Sequence, residues 1–202
     1  MKAEKKGQRR LPPEQRRSQL IRSAVKIAAA KGLGRVVHAD VARESGVSVP
    51  TVFLYLKDRE ALLAAIIEEV GRYYRAMALE HHSAELPPLE RIRNHVAAFA
   101  DSIDTDADYA IVWLEWSTMF RNEYGLWDAF LDFQEYVIAA LTRSIRKCQK
   151  EGSVPATIVA PDSARLLVAG AYAITQLKLM KRRPAMVKRY AEQMLQMALQ
   201  SH

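Results

Sequence analysis

The stretch from His38 to Leu63, HADVARESGVSVPTVFLYLKDREALL, gathers the side chains with the most chemistry to offer. Thr51 and Tyr55 carry hydroxyls that bond base edges or phosphate oxygens, Lys57 and Arg59 carry fixed positive charge, and Leu54 carries methyl groups that fit a thymine methyl. Ser48 and Pro50 stand at the head of the same run, where a hydroxyl and a ring decide how a helix starts. A set this closely spaced suits contact with the edges and backbone of a duplex.

Short helices must hold these side chains. Ala39, Val41 and Ala42 alternate with Asp40, Arg43 and Glu44 in a first helix, and Gly46 closes it. Ser48 then caps a second helix with Pro50 in its first turn, where a missing N–H costs nothing. Val49, Val52, Phe53 and Leu56 make its inward face, which leaves Thr51, Leu54, Tyr55 and Lys57 on the outward one. Asp58 caps a third helix that continues through Leu62, Leu63, Ile66, Ile67 and Val70 to about His81. The spacing predicts a helix-turn-helix with a lever attached.

Upstream, Pro12 and Pro13 open a helix that runs to Gly32 with Leu20, Ile21, Ala24, Val25 and Ala28 inward. Gly32 and Gly34 turn the chain toward His38, which falls at a helix N-terminus and reads as a cap and phosphate contact. Arg9 and Arg10 lie in a polar, basic segment, an arm suited to the minor groove or the backbone.

The charge is divided in the same way. The formal net charge is +7, but residues 1–60 carry a net of +8 and residues 61–202 a net of −1. A basic module at 1–60 joined to a near-neutral domain at 61–202 is what a phosphate-binding unit with a regulatory partner domain shows.

At these residues the chain resembles the TetR family of one-component bacterial repressors, whose motif runs from a small-residue helix through Gly-Val-Ser to an aromatic-rich helix and an acidic-capped one. RLPPEQRR from Arg10, GLGRVVHAD from Gly32 and VWLEWS from Val112 add a likeness to the vibrio quorum-sensing regulators of the HapR, SmcR and LuxR type. The resemblance implies an all-α fold: a three-helix DNA-binding domain, then a helical ligand-binding and dimerisation domain. It implies a homodimer on a palindromic double-stranded operator, and an effector that changes the spacing of two reading heads. In that subgroup the position of Leu54 is usually polar and that of Pro50 small, so the operator preference here is expected to differ.

Beyond the lever, Pro87 and Pro88 break the chain before a helix with Ile92, Val96, Phe99 and Ile103 on one side. An aromatic segment from Tyr109 to 122 and a long helix from Leu126 to Glu151 follow. Their apolar residues have two readings: a filled core, or a cavity for a small apolar or amphipathic effector. The cavity reading takes Tyr74, Met77, Phe99, Ile103, Trp113, Leu114, Trp116, Phe130, Phe133, Gln134 and Val137 as its walls. Pro161 and Asp162 open the penultimate helix, Ala164 to about Arg183, Pro184 starts the last one, and both have wide apolar faces. Leu166, Gly170, Ile174, Leu177, Tyr190, Met194 and Met197 are expected at a dimer interface built as a four-helix packing.

Other function classes find less support. His81, His82 and Glu85 are too badly disposed for a metal, since adjacent histidines point to different helix faces, and a frayed helix end is the expected setting. Asp101, Asp104, Asp106 and Asp108 lack the Gly and terminal Glu of a calcium loop, and Asp106 or Asp108 reads as a helix cap. No metal or cofactor is therefore expected. Paired carboxylates, a Cys/His pair and a Gly-rich phosphate loop are missing from the sequence pattern, which argues against an enzyme. The alternative is a helical carrier or enzyme with a basic module. A lone Cys148 fits a reducing cytoplasm, and no apolar run approaches the ~18 residues of a membrane span.

Overall fold

The structure, a computed structural model, describes residues 11–83, 85–119 and 124–200. The described residues form α-helices with no strand: α1 Pro13–Lys31, α2 His38–Ser45, α3 Val49–Tyr55, α4 Arg59–Ser83, α5 Pro88–Thr105, α6 Ala107–Met119, α7 Tyr124–Lys150, α8 Ala160–Leu179 and α9 Pro184–Leu199. The chain divides into two compact units, and the division falls inside α4 between Ile66 and Ile67. None of these helices is long and apolar enough to cross a membrane.

The first unit is built on α1. Leu20, Ala24, Val25 and Ala28 recur at helical spacing and are buried, and Gly32 ends the helix at φ +100° with its N–H donated to Ala28 O. A 3-10 turn, Leu33–Arg35, carries the chain to α2. α2 packs on α1 and α3 on α2, and Val41 of α2, Val52 of α3, Leu56 just beyond α3, and Leu62, Leu63 and Ile66 of α4 are all essentially without exposure. Two ion pairs fasten α1 to α2 from outside the core, Lys26–Glu44 at 2.5 Å and Lys31–Asp40 at 2.6 Å.

The second unit contains the rest of α4 and α5 to α9. One cluster joins Ile92 of α5, Leu141, Ile145 and Cys148 of α7, Ala164 and Leu167 of α8, and Leu199 of α9. A smaller one joins Ile103, Ala110, Ile174 and Val187. Two helix boundaries in this unit depart from the sequence pattern. α8 begins at Ala160, not Ala164, because Pro161 occupies the first turn, where its fixed φ favours a helix and its absent N–H has no partner to lose. It stops at Leu179, short of Arg183, as Lys181 takes a left-handed φ of +52°.

Candidate nucleic-acid interface and a cavity of the second unit

The angle between α2 and α3 is fixed by local chemistry. Gly46 turns the chain at φ +66°, a left-handed conformation that costs a side-chain-bearing residue more, and its N–H closes on Ala42 O and Arg43 O. Ser48 then starts α3: its Oγ accepts from Thr51 N–H at 3.3 Å and lies 2.8 Å from Thr51 Oγ1. Pro50 sits in the first turn. At the far end Asp58 Oδ1 accepts from Ala61 N–H at 2.7 Å and opens α4.

The inward side of α3 is narrower than its pattern suggests. Val52 and Leu56 are buried, whereas Val49 is 37% and Phe53 45% exposed. Seven residues make only about two turns, so one i, i+4 line meets the core and its neighbours remain outside. Phe53 lies flat on the His38 ring instead, with centroids 4.0 Å apart and planes within 5°.

His38 is a correction. It was expected to meet phosphate, but it is buried, and its Nε2 lies 2.6 Å from Leu56 O, where an Nε2–H donates to that carbonyl. The start of α2 meets the end of α3, so the imidazole satisfies a carbonyl that α3 leaves open. Asp40 beside it is nearly buried, and its hydrogen bond to the Lys31 ammonium holds the carboxyl below the usual range.

Leu54 stands outermost on α3, 78% exposed. Thr51 and Tyr55 flank it half-buried, and Lys57 is exposed, 3.8 Å from the Asp58 carboxylate. Arg59 Nη2 donates to Gly34 O at 3.1 Å, which ties the start of α4 to the turn after α1 and leaves other guanidinium donors facing outward. Arg9 and Arg10 lie outside the described residues.

In the second unit the aromatic segment lines a small, partly open cavity of about 60 Å³. Tyr74, Phe99, Trp113, Phe133, Gln134 and Val137 line it, as the cavity reading expects. Met77, Ile103, Leu114, Trp116 and Phe130 are not among its walls. Trp116 packs on Phe130 and Phe133 and donates its indole N–H to Leu126 O at 2.9 Å, which makes it core. Ile103 belongs to the cluster with Ile174 and Val187. At about 60 Å³ the space is well under the roughly 150 Å³ of an engineered cavity that admits benzene. The core is thus mostly filled, with a remnant cavity.

Val96, Leu141, Leu167, Val168, Ala171, Ile174 and His95 complete the walls. His95 is the member with chemistry, and its signal was present in the sequence: three residues after Ile92 and four before Phe99, it shares the inward face of α5. Its Nδ1 lies 2.8 Å from His82 Nε2, and His82 Nδ1 lies 2.8 Å from Ser144 Oγ. His82 is therefore no frayed end but the middle of a buried chain from α7 through α4 to α5. Burial lowers both imidazoles, assisted by neighbouring positive charge, His82 to about 4 and His95 to about 3.

Two polar atoms on the cavity walls, Tyr74 Oη and Trp113 Nε1, are buried without a hydrogen-bond partner. Burial also pushes the Tyr74 phenol well up. Gln134 Nε2 donates to the Tyr172 hydroxyl, and Tyr172 stacks on Trp113 at 4.2 Å. The acidic run is otherwise engaged: Asp106 Oδ2 accepts from Tyr73 and Thr105, and Asp104 pairs with Lys178 at 2.5 Å. Among the described residues no three potential metal ligands come together.

The residues expected at a dimer interface separate into two groups. Leu166, Tyr190 and Met197 are exposed, and Leu177 is half-buried. Gly170 and Ile174 are buried within the chain. A Cβ at Gly170 would stand 2.7 Å from Met194 Sδ, so Gly170 and Met194 serve the close approach of α8 to α9.

Residues 20–66 match the family described as bacterial regulatory proteins, tetR family. The HTH-type transcriptional regulator LuxR of Vibrio harveyi is 33% identical over 127 residues, which span 63% of this chain and 61% of that relative's length. Among solved structures, the fatty acid degradation regulator FadR of Bacillus halodurans superposes with a TM-score of 0.77 at 18% identity, covering 93% of this chain and 97% of that one. FadR of Bacillus subtilis in complex with stearoyl-CoA gives 0.73 at 17% identity, covering 90% and 97%. These structures share the all-α fold.

Proposed function

We propose, for a chain whose residues 20–66 match the TetR family of bacterial regulatory proteins, that the protein is a transcriptional regulator of that family binding a palindromic DNA operator as a homodimer. The observation that carries this is the outward side of α3. Leu54, Thr51 and Tyr55 stand on a two-turn helix whose start is fixed by Ser48 and whose inner line is anchored by Val52 and Leu56. A helix so mounted enters a major groove. Lys57 and Arg59 take phosphates, Ser48 and Pro50 approach the backbone at the helix N-terminus, and Arg9 and Arg10 reach along the duplex. Leu54 offers methyl groups and no hydrogen bond, which favours a thymine at its position.

In this reading the protein acts in the cytoplasm, as a binding protein rather than an enzyme. The likeness to LuxR of Vibrio harveyi extends the reading to a regulator of the quorum-sensing type. Dimerisation uses α8 and α9 through Leu166, Leu177, Tyr190 and Met197, and two-fold symmetry sets half-sites one or more helical turns apart. An effector enters the cavity of the second unit, as the stearoyl-CoA complex of a protein with the same fold supports. Tyr74 lines that cavity and lies on α4, an unbroken helix from Arg59 to Ser83 whose start belongs to the reading unit. An occupant thereby acts on a helix that both units share.

The test is selection from a randomised duplex pool at near-physiological salt, repeated at higher salt. A palindrome should be enriched, with affinity falling steeply as salt rises. Leu54→Asn should select a different base at one position per half-site, with general affinity little changed. No enrichment, or a monomer by sedimentation at micromolar concentration, overturns the reading.

A further inference from the structure

We propose that the cavity of the second unit takes a neutral, mainly apolar molecule bearing one hydrogen-bond acceptor, of the ketone, ester, lactone or amide class, and that Trp113 and Tyr74 supply the donors. The proposal rests on the reading of that cavity as an effector site and names the chemistry of its occupant.

Three observations converge on that chemistry. The first is the charge of the walls: no Lys, Arg, Asp or Glu is among the described residues that line the cavity. A carboxylate or phosphate moved there loses water and meets no counter-charge. The second is the pair of unspent donors. Trp113 is 3% and Tyr74 4% exposed; the indole N–H has no partner, and the phenol O–H makes no hydrogen bond of ordinary length, its one polar neighbour being the Ser102 side chain, which already donates to Phe99 O. An indole N–H can only donate, so what it lacks is an acceptor. The third is that the remaining polar walls are already engaged. Gln134 donates to Tyr172, and His95 is bonded through His82 to Ser144.

Size adds a condition. In a cavity of about 60 Å³ the occupant makes room, and gains access to the two buried donors, by shifting half-buried Val96, Phe99, Val137 and Val168. Burial that keeps His95 neutral preserves an uncharged wall around neutral pH.

The experiment titrates the full chain by calorimetry at pH 7.5 with three probes of one shape: acetophenone, α-methylstyrene, in which C=CH2 replaces C=O, and benzoate. Acetophenone is expected to bind at least tenfold more tightly than either of the others. Trp113→Phe keeps an aromatic ring and removes the N–H, and should bring acetophenone to within about threefold of α-methylstyrene; Tyr74→Phe should reduce the preference less. A second readout needs no variant. In the 15N-labelled wild type, one indole N–H resonance should move with acetophenone and stay with α-methylstyrene. No binding by any probe, equal binding by all three, a preference for benzoate, or an unmoved indole resonance each overturns the proposal. Operator binding is measured on the same samples. Its loss with the acetophenone preference intact sinks the regulator reading alone, and the converse sinks this inference alone.

Discussion

On α3, Leu54 is 78% exposed with Phe53 and Val49 uncovered beside it, while around the cavity of the second unit an indole N–H and a phenol O–H are buried without partners. The two regions invert burial preference in opposite directions. An apolar side chain left in water forgoes the roughly 25 cal/mol per Å² that burial returns, and a buried donor left unpaired costs about 1–3 kcal/mol. Neither arrangement stabilises the free chain, so each is best understood as surface held for a partner. The partners differ accordingly: one offers apolar and anionic surface to α3, the other an acceptor to the cavity.

The largest effect should come from a residue that resembles the cavity aromatics but breaks no rule. Trp116 is 1% exposed and its N–H is satisfied by Leu126 O. Trp116→Ala should cost about 3–5 kcal/mol, read by urea melts, with Trp116→Phe destabilising as well. Trp113→Phe, which deletes an unpartnered N–H, should cost clearly less than Trp116→Phe. Equal losses at the two positions would remove the distinction between core and cavity wall.

Next in size is the pH dependence set by the histidine chain. In the unfolded chain His82 and His95 take protons near pH 6.5, whereas in the fold they resist until about 4 and about 3. Between these values the unfolded state binds more protons, so stability is full above pH 6.5 and falls as pH drops toward 4, by on the order of 3 kcal/mol for each imidazole. His81, Arg91 and Arg143 add repulsion to the charged form of His82. Melts at pH 7.5, 6 and 5 bracket a window largely above the carboxylates. The double variant His82→Asn/His95→Gln should flatten the profile across it, and a wild-type profile already flat there would show that the imidazoles are not held neutral.

These two regions also differ in how far the sequence alone reaches them. The interface was legible because its determinants are neighbours in the chain: Gly46 ends a helix, Ser48 and Asp58 start the next two, and all three act within four residues. Where contact between helices decided the outcome, pattern was insufficient. His38 meets Leu56 O across 18 residues, and Phe53 leaves the core to stack on it. The cavity is assembled from α4 to α8, so the aromatic stripe disclosed its ingredients but not which of them face inward space. Trp113 and Trp116, three residues apart, took different parts because one N–H found Leu126 O and the other found nothing. His95 was visible on the inward face of α5, yet only its meeting with His82 gives it a role.

Leu54→Glu tests the outward inversion. At 78% exposure the change should leave the melting temperature within error. Operator affinity should fall by about tenfold or more, ~1.4 kcal/mol, since a carboxylate replaces methyl contact and faces phosphate. A fall in stability with operator affinity intact would place Leu54 in the fold and not in the reading surface.

The smallest effect bears most directly on the inward inversion, and its sign is what matters. Tyr73 and Tyr74 are adjacent on α4 with rings 5.0 Å apart and nearly perpendicular, yet their hydroxyls have different fates. The Tyr73 hydroxyl donates to Asp106 Oδ2 at 3.0 Å, and its pKa is pushed up to about 12 by burial and then by that carboxylate. Tyr74 Oη has no partner. Removing a made hydrogen bond costs about 1 kcal/mol, whereas removing a buried hydroxyl without one relieves a desolvation penalty of similar size. Tyr73→Phe should therefore destabilise the chain and Tyr74→Phe stabilise it, each by roughly 1 kcal/mol, in parallel melts under one set of conditions. The same oxygen atom is deleted from adjacent positions of one helix, so propensity and side-chain entropy cancel between the variants. If both destabilise, the Tyr74 hydroxyl is bonded in the free protein and leaves the donor set, and Trp113 would stand as the only unspent donor on the cavity walls among the described residues.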